Sequence, residues 1–392
     1  MDNKKFKVLL LVTTSIFSFS SCYCQYILSP MANEVMTAFN MNQAQFSRVF
    51  SSAMLPGLLL SFVFGLIVDK YGYRKPIMIT LVIGAVALTW RIFVKSFFGL
   101  FLCTFLPGLA ATALNSSRTK IFNDWFDPSM ISICLGLGLG TASFGSAVGT
   151  GTTAMLPSLK TAFVISAVIE ILVLVLWFLF VKDKETETEE TTESEPFTEA
   201  VKKIFKNRSM LVLFAVVFLF NGAYMIISTF LPLFLQGRGM SDVAAGASAS
   251  IISVGYLVGC LAGPILNTAL KKTKILLMSF SIVSAVLMFL VNYIAPGLLL
   301  TIELAVLGFA IGSAIPIFVS LVVNVADEYG EKNIGTASGI CATFQLGGCV
   351  LLPGYILAPI VGDNTTLLFF IGAILFGVCA FLITLFSKKM CG

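Results

Sequence analysis

Histidine is absent from all 392 residues, which removes imidazole metal sites, His-based catalytic triads and the usual imidazole proton relay. Charge is scarce as well. Lys, Arg, Asp and Glu make up 11% of the chain against 57% hydrophobic residues, where a soluble domain carries roughly a quarter charged residues. A water-soluble protein is thereby excluded. Nine cysteines are present, but only Cys22 and Cys24 are near neighbours, with no metal-ligand or disulfide spacing; they read as small packing residues. Any proton carried by such a chain must ride on a carboxylate. The sequence also lacks a His/Cys/carboxylate cluster, a nucleophile constellation and a phosphate-binding glycine loop. No catalytic residue, metal, cofactor or nucleic-acid partner is therefore expected.

What the chain has in abundance is apolar runs of about 20 residues, the length that crosses a bilayer as a helix. Twelve are read near 8–29, 47–67, 76–94, 97–120, 131–155, 161–181, 210–235, 244–266, 274–293, 297–322, 334–358 and 366–386. Lys4, Lys5 and Lys7 ahead of a run that reaches Ser20-Ser21-Cys22 resemble a signal peptide, but the run continues through Tyr26-Ile27-Leu28 and further spans follow, so it is expected to remain as the first span. Cations between spans set orientation. With the N-terminus inside, inner segments collect most of them, including Lys70, Arg74, Lys75, Lys182, Lys271 and Lys388, while outer segments hold only Arg48, Arg91, Lys95, Lys160 and Arg238. Both termini are expected to be cytoplasmic.

The one long polar stretch, 182–209, opens with a Thr/Glu-rich run to Glu195 and ends with a basic segment from Lys202 to Arg208. Its acidic part cannot bury a core, whereas Phe197 to Phe205 fits a short amphipathic helix on the inner membrane surface. The stretch divides the chain into six spans over 1–181, a linker over 182–209 and six spans over 210–392. The halves echo one another. Gly65 and Asp69 after span two return as Gly263 and Asn267 after span eight at the same interval, as in membrane proteins built from parallel repeats.

Gly65-x-x-x-Asp69-Lys70-x-Gly72-x-Arg74-Lys75 closely resembles the signature between helices two and three of the major facilitator superfamily, and the resemblance extends over the whole chain. It implies an all-α polytopic membrane protein with twelve transmembrane helices in two pseudo-symmetric six-helix bundles. In such a loop Gly65 allows close helix approach, Gly72 a tight turn, and Asp69, Arg74 and Lys75 form gating contacts. Trp125-Phe126-Asp127-Pro128 is similar to the turn ending helix four in organic-anion and nitrate-type branches, although Asp127 is inserted before the proline. The glycines of span five, from Gly136 to Gly151, resemble a motif of antiporters in this superfamily and equally suit close helix packing.

Ionisable residues inside spans default to functional roles. Arg118 and Lys120 stand roughly 7 to 10 Å along the helix from Trp125. Two residues apart, they point about 200° away from each other. Sugar-acid transporters of the superfamily carry an arginine at the position of Lys120, which implies a substrate or gating cation there. Glu170 and Glu303 are the carboxylates within spans and the candidates for proton coupling. Gln25-Tyr26 followed by Ser29-Pro30 resembles the first helix of oxalate/formate-type exchangers, where the glutamine and tyrosine face substrate; Asn221, Tyr224 and Gln345 are the polar candidates of the other half.

The expected function is alternating-access transport of a small solute in the plasma membrane, an organic or inorganic anion, by a monomer with a coupling ion or counter-substrate. An exporter of apolar drug-like compounds is the rival within transport. A non-transporting transceptor using the acidic linker is the rival outside it.

Overall fold

The computed structural model describes residues 3–183, 197–330 and 333–391. Among these there are helices and turns and no strand. Eleven helices are long and apolar enough to cross a membrane. The twelfth expected span is present as α5 (Arg74–Arg91), 18 residues long, and falls just short of that description because Arg74, Lys75 and Arg91 all lie within it.

One compact unit comprises Met1–Glu185 with Thr229–Ser253. It contains α1 (Asn3–Tyr26), α2 (Ala32–Ala38), α3 (Gln43–Ser52), α4 (Leu55–Tyr71), α5, α6 (Phe97–Trp125), α7 (Pro128–Thr152) and α8 (Leu159–Phe180). The second unit comprises Thr186–Ser228 with Val254–Gly392. It holds α9 (Phe197–Lys206), most of α10 (Arg208–Gly237) and of α11 (Asp242–Leu270), then α12 (Thr273–Leu290), α13 (Leu298–Asn324), α14 (Ala326–Tyr329), α15 (Ile334–Leu351), α16 (Ala358–Val361), α17 (Thr365–Ile383) and α18 (Lys388–Cys391). The C-terminal end of α10 belongs to the first unit through Ser29 Oγ donating to Thr229 O at 3.0 Å and Gln236 Nε2 donating to Pro30 O at 2.9 Å.

Helix starts follow local chemistry. Ser96 and Ser158 accept from the backbone amides of Gly99 and Thr161, and Asn42 forms a capping box with Gln45, each supplying an acceptor to amides that have no partner within the helix. Span two is broken at Ala53 and Met54, between α3 and α4. The eleventh span continues from α15 through a π-helical turn at Leu352–Leu357, which contains Pro353 and Gly354. Pro107, Pro232, Pro264 and Pro316 sit inside long helices, as membrane helices tolerate when neighbours and side chains satisfy the freed carbonyls.

Glycine sets how closely these helices pack. A methyl group built on Gly145 would stand 2.3 Å from Phe19 O, and one on Gly149 3.1 Å from Tyr23 O, so α7 lies backbone to backbone on α1. In the second unit Gly348 of α15 meets Phe218 O of α10 in the same way, at 2.0 Å. Gly255, Gly259 and Gly263, one turn apart on α11, face the carbonyls of Ala305, Phe309 and Ser313 on α13 at 2.3, 2.3 and 2.4 Å. Gly65 is different. Nothing lies within 4 Å of its would-be methyl, so the close approach expected there is absent, and of the repeated pair only Gly263 performs it.

Gly145→Val should therefore lower stability in detergent by about 1 to 3 kcal/mol through overpacking, whereas Gly65→Ala should change it by less than about 0.5 kcal/mol. Thermal unfolding of the two variants checks the contrast, and equal effects would contradict it.

Candidate functional site

Arg118 lies on the buried side of α6 and is 9% exposed. Its Nη2 donates to Ser18 Oγ of α1 at 2.9 Å, while the Ser18 hydroxyl donates onward to Thr14 O at 2.9 Å. The guanidinium Nε is buried and has no hydrogen-bond partner. Gly138 of α7 leaves it room, since a methyl there would stand 3.4 Å from the guanidinium carbon. No carboxylate pairs with this cation among the described residues, and a buried charge with neutral neighbours alone is costly. An arrangement of this kind suits a site that takes its anion from outside the chain.

Lys120 turns away, as its spacing predicts, and its Nζ donates to Val68 O of α4 at 3.3 Å. Gln25 is 7% exposed and its Nε2 donates to Phe50 O at 3.0 Å; Tyr26 packs edge-on against Phe50 with ring centroids 5.3 Å apart. The structure thus places Arg118 between α1 and α7 and Gln25 and Tyr26 against Phe50 of α3, while Lys120 reaches α4 instead.

A second buried polar cluster joins α1, α5 and α8. Glu170 is 2% exposed and its Oε2 accepts from Ser20 Oγ at 2.9 Å. Arg91, 1% exposed, donates through Nη1 to Cys24 O at 3.3 Å and through Nη2 to Ser166 Oγ at 2.7 Å. Its guanidinium also lies 4.5 Å from the Phe163 ring centre, a cation–π contact. The sequence reading assigns Arg91 to an outer segment. Instead it ends α5 with its side chain inside the bundle, and the only linear signal for this was a lone arginine following the apolar run Val86-Ala87-Leu88.

The signature loop is built around Asp183. Gly72 adopts φ +76°, as expected for the tight turn, and the Asp183 carboxylate fills the space where its methyl would be, 2.7 Å away. Asp183 Oδ1 accepts from the backbone amides of Tyr73 at 2.9 Å and Arg74 at 3.0 Å, at the positive end of α5. Arg74 Nη2 donates to Phe178 O at 3.1 Å, and Lys75 is exposed. Asp69 falls in the last turn of α4, but its side chain lies outside the described residues. Trp125 ends α6 as expected, with Phe126 extended and Pro128 opening α7, and its Nε1 donates to Tyr73 Oη at 2.7 Å.

In the second unit Asn221 Nδ2 donates back to Val217 O at 2.8 Å, Tyr224 stacks on Tyr256 with centroids 5.1 Å apart, Gln345 is half-buried and Glu303 is 4% exposed on α13. The helix expected over Phe197 to Phe205 forms as α9. Part of its apolar side packs on protein: Ala200 and Ile204 are buried, with α14 and α15 as neighbours, and Phe205, 41% exposed, lies against Phe344. Beside it Lys389 pairs with Asp327, and that hydrogen bond holds the Asp327 carboxyl below the usual aspartate range. The contribution is present above the ordinary aspartate pKa and is lost as pH falls through the lowered one.

Long apolar helices in two units, with buried ionisable side chains held between helices, define a multi-pass membrane protein of transporter type. The chain matches the Major Facilitator Superfamily over residues 14–353 and belongs to that family. It is 24% identical over 359 residues to the hexuronate transporter of Bacillus subtilis (strain 168), covering 85% of this chain and 82% of that protein. It is 22% identical over 292 residues to the lysosomal dipeptide transporter MFSD1 of Danio rerio, covering 68% and 62%. Among solved structures, the crystal structure of a point mutant of the nucleoside transporter NupG has the same fold, with TM-score 0.79, 19% identity and coverage of 97% of this chain and 100% of that one. So does a bacterial homolog of the human lysosomal transporter Spinster, at TM-score 0.72 and 12% identity over 98% and 96%.

Removing the Asp183 acceptor from the α5 N-terminus in Asp183→Ala should cost about 1 kcal/mol, as loss of a helix cap does, while Asp183→Asn should retain most of it. Melting of both variants in detergent tests this, and an unchanged Asp183→Ala would refute the capping role.

Proposed function

We propose that this chain is a secondary transporter of small organic anions, working by alternating access, with hexuronates as the first class to test. The observation that carries the reading is the buried Arg118 guanidinium, whose one hydrogen bond is to the Ser18 hydroxyl and which has no carboxylate partner among the described residues. A carboxylate bound there would supply the missing counter-charge and form charge-assisted hydrogen bonds. The hexuronate transporter relative supports the choice of substrate class, because a hexuronate carries one carboxylate on a polar sugar ring.

In this reading Gln25 and Tyr26 line the same interior as Arg118. Asn221, Tyr224 and Gln345 are the candidate substrate contacts of the second unit. Lys120, tied to the end of α4, is assigned to gating together with Gly65, Asp69, Gly72, Arg74 and Lys75. The working division is six spans over 1–181 and six over 210–392, as a monomer in the plasma membrane with both termini cytoplasmic.

Proteoliposomes loaded with D-glucuronate should exchange it for labelled external D-glucuronate. Arg118→Gln should reduce this exchange by about 100-fold, the effect of about 2.7 kcal/mol of lost charge-assisted binding. Arg118→Lys should retain an intermediate rate, a point charge replacing the fork. A wild-type chain that moves only a neutral dipeptide or nucleoside, equally in Arg118→Gln, would overturn the anion reading.

A further inference from the structure

The Arg91–Glu170 cluster is not used by anion binding, yet it stands on the same helix. α1 presents Ser18 to Arg118 and, two residues on, Ser20 to Glu170; the carbonyl of Cys24, one turn further, accepts from Arg91. The groups facing Glu170 come from every helix packed there. α1 contributes Ser20 and Cys24, and α5 contributes Gly84, whose would-be methyl stands 3.1 Å from Glu170 Oε1, together with Arg91; Pro107 of α6 closes the same side. Cys103 of α6 and Tyr23 of α1 lie within electrostatic reach of Arg91. Of these, Arg91 is the only cation and Glu170 the only carboxylate.

Charge balance makes this arrangement two-state. With Glu170 ionised, the buried layer is neutral overall, its carboxylate taking the Ser20 hydroxyl and offsetting the charge of Arg91. An arginine does not give up its proton in proteins. Protonation of Glu170 therefore leaves a buried cation whose hydrogen-bond acceptors, Cys24 O and Ser166 Oγ, are neutral. Protonation also weakens the bond donated by Ser20 of α1, because a neutral carboxyl is a poorer acceptor than a carboxylate. An anion arriving at Arg118 acts on that helix too, because it competes with Ser18 for the guanidinium.

We propose that Glu170, with Arg91 and Ser20, is the proton-binding site of this transporter, and that proton and anion bind cooperatively because both loosen hydrogen bonds made by α1. The step is simple: one proton from bulk water joins the carboxylate, and one solute anion joins the Arg118 guanidinium, so the pair adds no net charge to the protein. The proposal rests on the anion reading for its partner and not for its proton, and two measurements separate the failures.

The first needs no solute. Infrared difference spectra of the purified wild-type protein, recorded as the bathing pH is changed, should show the carbonyl stretch of a protonated buried carboxyl that is missing in Glu170→Gln. The pH midpoint of that band should move in Ser20→Ala, which keeps the assignment testable if Glu170→Gln folds poorly. Absence of a Glu170 band that changes with pH, or a midpoint indifferent to Ser20, overturns the proton site.

The second uses D-glucuronate in proteoliposomes. An inward proton gradient should drive its accumulation by the wild type. Glu170→Gln should lower the ratio of gradient-driven uptake to solute exchange by about tenfold, within the range usual for coupled sites. An unchanged ratio overturns the coupling even if the infrared band is found. Failure of D-glucuronate to move at all, with the infrared band present, would instead count against the substrate class.

Discussion

Two serine hydroxyls on α1 hold the interior of the first unit together. Ser18 and Ser20 bond to the side chains of Arg118 on α6 and Glu170 on α8, while α1 lies backbone to backbone on α7. Gly145 and Gly149 of α7 permit that approach. In a bilayer a polar group finds its partners within the protein or leaves the hydrocarbon, so the helix carrying the hydroxyls becomes the element through which buried charges communicate. A shift of α1 changes both clusters at once.

The two clusters have opposite character. Both guanidiniums leave a buried Nε without a hydrogen-bond partner; around Arg118 the one partner is the Ser18 hydroxyl, which suits a ligand that comes and goes. Around Arg91 the cation has the carbonyl of Cys24, the hydroxyl of Ser166, an aromatic face and a carboxylate in the same layer, which suits a permanent residue. Burial alone does not distinguish an arginine that binds from one that holds. The Nη groups do: each of Arg91's has a partner, whereas Arg118 has one at Nη2 alone.

Much of this was legible in the sequence. The apolar runs located the spans, α5 included, and the turn at Trp125 and the glycine turn at Gly72 were readable because each depends on local backbone chemistry. Arg118 and Lys120 were separable from helical periodicity alone. What could not be read depends on partners distant in the chain. Asp183 caps a helix whose start is more than a hundred residues earlier, and nothing in Lys182-Asp183 signals that. Gly65 belongs to a motif yet packs against nothing, whereas Gly255 and Gly259, outside any motif, carry a helix crossing. Arg91 looked like a loop cation because a span's end and a bundle's interior are the same in one dimension. The amphipathic pattern of α9 was read correctly as a helix, but the pattern fits an apolar protein surface as well as a lipid one.

The most direct test of the central claim is a structure of the protein with D-glucuronate bound. The account predicts the sugar-acid carboxylate within hydrogen-bond distance of the Arg118 guanidinium, with Nε now partnered and the bond to Ser18 lengthened or lost. A carboxylate bound elsewhere, with the Arg118–Ser18 contact unchanged and Nε still unpartnered, would contradict it.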